Sequence, residues 1–64
     1  MNAIELIESA ILAEQEAQRM YKEGAAQAED AETRALFEQL AHWEIGHETM
    51  LRDRLATLKL IKDK

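Results

Sequence analysis

The chain has 64 residues, near the lower size limit for a domain that folds alone. Chains of this size usually need disulfides, a metal ion or a partner chain. There is no cysteine, which excludes disulfides, thiolate zinc sites and iron–sulfur clusters. The net charge of −5 repels phosphate, so we expect no nucleic-acid partner. Because no apolar run approaches the roughly 20 residues of a membrane span and no signal-peptide pattern is visible, we expect a cytoplasmic protein with no membrane partner.

The composition predicts an all-α protein, since there is no proline, only two glycines, and a 47% apolar content rich in Ala, Leu and Ile. A first helix is predicted at about 3–27, where apolar or small residues recur at alternating steps of four and three. The members of this seam are Ala3, Ile7, Ala10, Glu14, Ala17, Tyr21, Gly24 and Ala28. Three further residues widen it, namely Ile4, Ile11 and Met20.

A second helix is predicted at about 31–61, because the apolar pattern resumes there in a new phase. Its seam consists of Phe37, Leu40, Glu44, His47, Leu51 and Leu58, flanked by Leu36, Trp43, Met50 and Leu55. The phase break between 28 and 33 predicts a turn between two helices, with Asp30 as the N-cap of the second. Since the turn holds neither Gly nor Pro, one continuous helix in an extended coiled coil remains an alternative.

Two antiparallel helices cannot enclose a core, because each leaves half of its apolar stripe in water. Pairing two such hairpins gives a four-helix bundle, so the sequence predicts a homodimer or a higher even oligomer. Phe37 and Trp43 are interpreted as core or interface anchors, and Met20 and Met50 as core-filling residues.

Three polar residues interrupt the two seams. Glu14 lies in the first, and Glu44 and His47 lie in the second as a Glu-x-x-His motif whose side chains share one helix face. Two copies would bring four carboxylates and two imidazoles together, the ligand set of di-iron and di-manganese carboxylate bundles. This oxygen-rich set favours iron or manganese and also admits zinc. The alternative is a surface carboxylate pair beside a hydrogen-bonded histidine.

These residues resemble a known family. Residues 10–14 (AILAE), followed by Ala17 and Tyr21, resemble the first helix of the rubrerythrin branch of the ferritin-like superfamily. Residues 36–41 (LFEQLA), followed by Glu44-x-x-His47 and Leu51, resemble its second helix. Rubrerythrins and ferritins carry two hairpins per chain, whereas this sequence carries one. In that respect it is similar to the encapsulated ferritins, half-ferritins whose hairpins pair to form a di-iron ferroxidase centre at the dimer interface.

The resemblance implies a role for each site residue. Glu14 would be a terminal ligand, Glu44 a bridging carboxylate and His47 a terminal imidazole, with two irons per dimer or Mn or Zn in their place. Tyr21 would place its hydroxyl against a ligand carboxylate across the bundle, or serve only as a core aromatic. The implied activity is oxidation of Fe(II) by dioxygen or peroxide, for iron detoxification or storage.

The sequence departs from these relatives in two ways. It has no Cys-x-x-Cys rubredoxin module, and it lacks the longer C-terminal part and shell-targeting tail expected of encapsulated ferritins. The second departure weakens the expectation of an encapsulin shell as partner. Two other functions remain alternatives: a helical dimer in which a metal only staples the bundle, and an interaction module that binds no metal.

Overall fold

A computed structural model describes residues 1–62 and shows two α-helices, α1 (Ala3–Gln27) and α2 (Ala31–Lys62), which pack as an antiparallel hairpin. The fold is therefore all-α, as the sequence predicts, and the continuous-helix alternative is wrong. The predicted ranges, about 3–27 and about 31–61, end within one residue of these helices. No helix within the described residues is long and apolar enough to cross a membrane.

Side chains just before each helix cap its free backbone N–H groups. Asp30 Oδ2 accepts a 2.9 Å hydrogen bond from the Thr33 amide, which confirms the predicted cap of α2. This backbone hydrogen bond is the main cause that lowers the pKa of Asp30. At α1 the Asn2 side chain accepts an equivalent 2.9 Å bond from the Glu5 amide, a cap that the sequence analysis missed.

The turn between the helices closes without a glycine or a proline. Ala28 leaves α1 in an extended conformation, with φ −64° and ψ 133°, which any residue adopts readily. Arg34, in the first turn of α2, then donates a 3.3 Å hydrogen bond to the Ala28 carbonyl. The last turn of α2 contains Lys59 and Lys62, whose positive charges interact favourably with the negative end of the helix dipole. Lys64 lies outside the described residues.

The hairpin is a single layer of helices. Its Cα atoms extend over 52 × 18 × 11 Å, and the last dimension is about the diameter of one helix. Within residues 1–62 the buried side chains are Ile11, Ala25 and Ala41, and none of them is polar or charged. Such a layer has no closed core of its own.

The predicted seams face each other in most positions. The α1 seam is half-buried from Ile7 to Ala28, whereas Ala3 at its start is exposed. The α2 seam is half-buried except at His47, whose side chain is 55% exposed. The face of α2 that lies against α1 is displaced from the predicted seam toward Ala41, which is buried, and Glu48, which is half-buried.

Several large apolar side chains stay outside this contact. Met20 and Met50 are 56% and 70% exposed, so the single hairpin does not bury them, and their role as core residues of a paired bundle stays a prediction. Trp43, flanking the predicted α2 seam, is 53% exposed, whereas Phe37 is half-buried between the helices. On α2, the exposed flanking residues Leu36, Trp43 and Met50 lie at the edge of the predicted seam opposite Ala41 and Glu48, whereas the flanking Leu55 is half-buried.

Candidate metal centre

The structure brings the three predicted ligands together at one level of the hairpin. One ligand atom each from Glu14, Glu44 and His47 lies within 4.8 Å of the other two. His47 Nδ1 is 3.5 Å from Glu14 Oε2 and 3.4 Å from Glu44 Oε2. We call these three residues the carboxylate–histidine cluster.

Helix geometry explains why the cluster forms. Glu44 and His47 are three residues apart on α2, so their side chains stand on adjacent turns of the same face. Glu14 is near the middle of α1, and the antiparallel turn at 28–30 carries the chain back so that the middle of α2 lies beside it. Spacing within one helix and the short turn between helices therefore fix which residues meet.

One oxygen of the cluster has no partner. Glu14 Oε2 is buried and accepts no hydrogen bond, since the contact with His47 Nδ1 does not meet hydrogen-bond geometry. Leaving a buried polar atom unsatisfied costs about 1–3 kcal/mol, and more for a charged group. A bound cation would satisfy that oxygen, and two carboxylates with one imidazole are a donor set that suits iron, manganese or zinc. The residues present therefore fit a metal ion.

The cluster is most accessible on the side of His47. The side chains of Glu14 and Glu44 are 24% and 16% exposed, whereas that of His47 is 55% exposed. Beside His47 a shallow concavity is lined by Glu14, His47, Met50, Leu51 and Arg54. The opening beside His47 leaves room for further ligands from outside this hairpin.

Large and small apolar side chains surround that opening. In each helix these side chains recur every seven residues, so they share one face of that helix. The α2 face is on the same side as His47, and the α1 face is beside Glu14. We define this set as the open face: Leu6, Ala13 and Met20 of α1, with Leu36, Trp43 and Met50 of α2. Its five large members are 53–70% exposed. An apolar surface of this kind, centred on polar ligands, is typical of an interaction site.

Tyr21 lies on α1, seven residues beyond Glu14, and its ring stacks on Phe37 with centroids 6.3 Å apart. The Phe37 ring in turn lies over Gly24, where an added Cβ would approach three ring carbons to 3.1 Å. Within residues 1–62 the Tyr21 hydroxyl makes no hydrogen bond to the cluster. Its role across a bundle stays a prediction.

A second polar group, which the sequence analysis did not predict, lies beside the cluster. Glu48 accepts hydrogen bonds from Gln18 Nε2 at 2.7 Å, from Gln15 Nε2 at 3.2 Å and from Arg52 Nε at 2.7 Å. We call these four residues the Glu48 network. The Arg52 hydrogen bond, followed by that of Gln18, lowers the pKa of Glu48. The available signal was that Gln15 and Glu48 each follow a cluster residue directly in the sequence.

Comparison with known proteins places this arrangement in a family. Residues 2–63 match the family model described as Rubrerythrin. The chain belongs to the rubrerythrin family. This confirms the ferritin-like resemblance at the level of the family, whose members are di-iron carboxylate proteins. No curated protein and no solved structure gives a significant match to this rubrerythrin-family chain.

Proposed function

We propose that this chain is a single-hairpin, half-ferritin-like member of the family with ferroxidase-type activity. It would bind Fe(II) at a centre shared between two hairpins and oxidise it with dioxygen or peroxide. The observation that carries the proposal is the buried, unpartnered oxygen of Glu14 beside Glu44 and His47. An unsatisfied carboxylate in a cluster of metal-binding side chains is expected where a cation completes the site.

The pairing of two hairpins follows from the ligand count and from the open face. One hairpin contributes two carboxylates and one imidazole, which is half of the ligand set of a di-iron bundle. Two hairpins contribute four carboxylates, whose negative charge offsets two divalent ions. The same pairing would remove the exposed apolar residues of the open face from water, which favours association.

The chain's own residues have defined tasks in this proposal. Glu14 and Glu44 would hold the cations and balance their charge, and His47 would bind as a neutral imidazole with its free nitrogen as ligand. Tyr21 would donate a hydrogen bond from its hydroxyl to a ligand carboxylate of the partner hairpin. Iron supplies the redox chemistry: two Fe(II) ions give one electron each to dioxygen, which takes up two protons and leaves as hydrogen peroxide. With peroxide as oxidant, the same two electrons and two protons give two molecules of water.

The proposed physiological role is iron detoxification in the cytoplasm. A lone four-helix bundle has no cavity for a mineral, so storage would require a higher even oligomer or an enclosing shell such as encapsulin. Manganese or zinc would occupy the same donor set. Zinc, which has no redox chemistry, would make the dimer a metal-stapled bundle without turnover.

Native mass spectrometry after anaerobic addition of Fe(II) tests this proposal. We expect two irons per wild-type dimer, no iron in Glu14→Ala or Glu44→Ala, and oxidation on admission of oxygen in the wild type alone. Glu23→Ala is the matched control, since Glu23 accepts a hydrogen bond only from Gln27 within α1. A chain that binds no iron would refute the metal centre. Two irons that stay reduced in oxygen and peroxide would refute the ferroxidase and leave the metal-stapled dimer.

A further inference from the structure

The Glu48 network lies behind the carboxylate–histidine cluster, on the side away from the open face. Successive residues of a helix point about 100° apart. Gln15 therefore stands on a different side of α1 from Glu14, and Glu48 stands on a different side of α2 from His47. The two polar groups share one level of the hairpin and occupy opposite sides of the helix contact.

This network supplies the hydrogen-bonded connection between the two helices in the described part of the chain. Within residues 1–62, the bonds that Gln15 and Gln18 donate to Glu48 are the only hydrogen bonds between α1 and α2. Among the described residues, two longer polar contacts also cross between the helices: Lys59 with Glu8 at 3.8 Å, whose side chains are half-exposed, and His47 with Glu14 at 3.5 Å within the carboxylate–histidine cluster itself. Arg52, one turn further along α2, holds the Glu48 carboxylate from its own helix.

The apolar contact at this level is poorly specific. The α1 seam residues on either side of Glu14 are alanines, Ala10 and Ala17, whose small side chains interlock little with those of α2. Ile11 is the one large buried side chain among the described residues. Directional hydrogen bonds are thus the feature that distinguishes one rotation and register of α1 against α2 from its neighbours.

We propose that Glu48 is a positioning residue for the metal centre. By accepting hydrogen bonds from Gln15 and Gln18, it fixes the rotation and register that bring Glu14 against Glu44 and His47. This inference rests on the proposed metal centre and adds a residue that does not bind the metal itself. Both of its oxygens are already engaged, Oε1 by Gln18 and Oε2 by Gln15 and Arg52.

Cobalt(II) is the probe for the test, because its binding can be titrated and its visible absorption reports the coordination geometry. Wild type, Glu48→Ala, Gln18→Ala and the double variant are compared at a temperature where circular dichroism shows all of them to be helical. We expect each single variant to weaken cobalt binding about 10–100-fold, as loss of an outer-sphere partner does, and to change the absorption spectrum. The double variant should lose no more than the stronger single variant, because both changes break the same connection.

Two controls separate positioning from other effects. Glu23→Ala removes one carboxylate and a 3.2 Å bond from Gln27 that stays within α1, and should leave cobalt affinity unchanged. Glu48→Gln keeps the length and one acceptor oxygen, and should bind cobalt with an affinity between those of wild type and Glu48→Ala. Should Glu48→Ala fail to fold, Gln18→Ala decides the question, because it removes one hydrogen bond and leaves those that Gln15 and Arg52 donate to Glu48.

The outcomes are distinguishable from those for the metal centre. If the wild type bound cobalt and both single variants bound it with the same affinity, the positioning role would be overturned and the metal centre would stand. If Glu48→Ala weakened cobalt binding and Gln18→Ala left it unchanged, the positioning role would also be overturned, since Glu48 would then act through its charge. A wild type that binds no cobalt would overturn both proposals.

Discussion

The carboxylate–histidine cluster and the Glu48 network are two polar groups at the same level of one hairpin, and they are satisfied to opposite degrees. Glu14 has a buried oxygen with no partner, whereas both oxygens of Glu48 accept hydrogen bonds. Their exposures are similar, at 24% for Glu14 and 18% for Glu48, so burial alone does not separate them. The hairpin thus completes the hydrogen bonding of Glu48 by itself and leaves that of Glu14 incomplete, which supports the proposal of a ligand from outside.

The apolar residues show the same asymmetry. Trp43 on the open face borders the cluster and is 53% exposed. On the other side, Ile45 is 46% exposed and lies in a concavity with charged neighbours such as Lys22, Arg34 and Glu38. The exposed apolar surface beside the cluster, where Glu14 has an oxygen without a hydrogen-bond partner, is the side on which we expect a second hairpin.

The largest expected effect concerns that second hairpin. Trp43→Glu should weaken dimerisation by about 2–4 kcal/mol, or roughly 30- to 1000-fold, because a buried Trp is a typical interface hot spot. Sedimentation equilibrium measures this directly. Ile45→Glu is the matched control on the opposite side and should leave the dimer intact. The reverse pattern, in which only Ile45→Glu dissociates the dimer, would move the interface to the other face.

A second prediction applies one substitution to both polar groups. In metal-free protein, Glu14→Leu should raise the free energy of unfolding by about 1–3 kcal/mol, because it removes an unsatisfied buried acceptor and adds apolar contact. Glu48→Leu should lower it, because it leaves the amides of Gln15 and Gln18 without their acceptor. Urea unfolding in the presence of a chelator, at one protein concentration, measures both. Destabilisation by both substitutions would remove the contrast between the two groups.

The sequence was sufficient to predict the hairpin and the cluster, because both depend on regular spacing. The change of apolar phase located the turn, and Asp30 is a strong capping residue immediately before the second helix. The i,i+3 spacing of Glu44 and His47 fixed their shared face, and the seam position of Glu14 fixed its side of α1.

The exact rotation of each helix could not be predicted. Alanines make the apolar band of α1 wide, so several rotations of α1 against α2 bury similar areas. In our proposal, the rotation that forms is selected by hydrogen bonds between Glu48 and two glutamines that are distant from it in sequence. Sequence periodicity treats Glu48 as one more polar helix residue. Met20 and Met50 lie outside the contact between the two helices, so a place for them in a core depends on a second hairpin.

The two glycines give a third, smaller pair of effects. Gly46 has open space where a Cβ would be, so Gly46→Ala should stabilise the metal-free protein by about 1 kcal/mol through helix propensity. Gly24→Ala should stabilise it less than Gly46→Ala does, because the same propensity gain is opposed by a new Cβ that would lie 3.1 Å from the Phe37 ring. Thermal unfolding measures both. Loss of the dimer in Gly46→Ala would show that a second copy packs closely against Gly46, which lies between Trp43 and Met50 on the same face of α2.

The smallest expected effect appears only in acid and concerns a carboxylate that, like Glu48, is satisfied within the chain. The Thr33 amide donates to Asp30 and lowers its pKa in the folded state, so this interaction stabilises the fold above the ordinary Asp pKa of about 3.9. That stabilisation is lost as pH falls through the lowered pKa, because the protonated carboxyl accepts the amide hydrogen bond less well. Asp30→Asn keeps a good capping side chain without the titration, so it should change stability little at pH 7 and make the loss below pH about 4 shallower. Urea unfolding from pH 7 to pH 2 in wild type and variant measures the two acid limbs. If they coincide, the Asp30 cap does not contribute through its charge, and acid sensitivity belongs to other carboxylates such as Glu48.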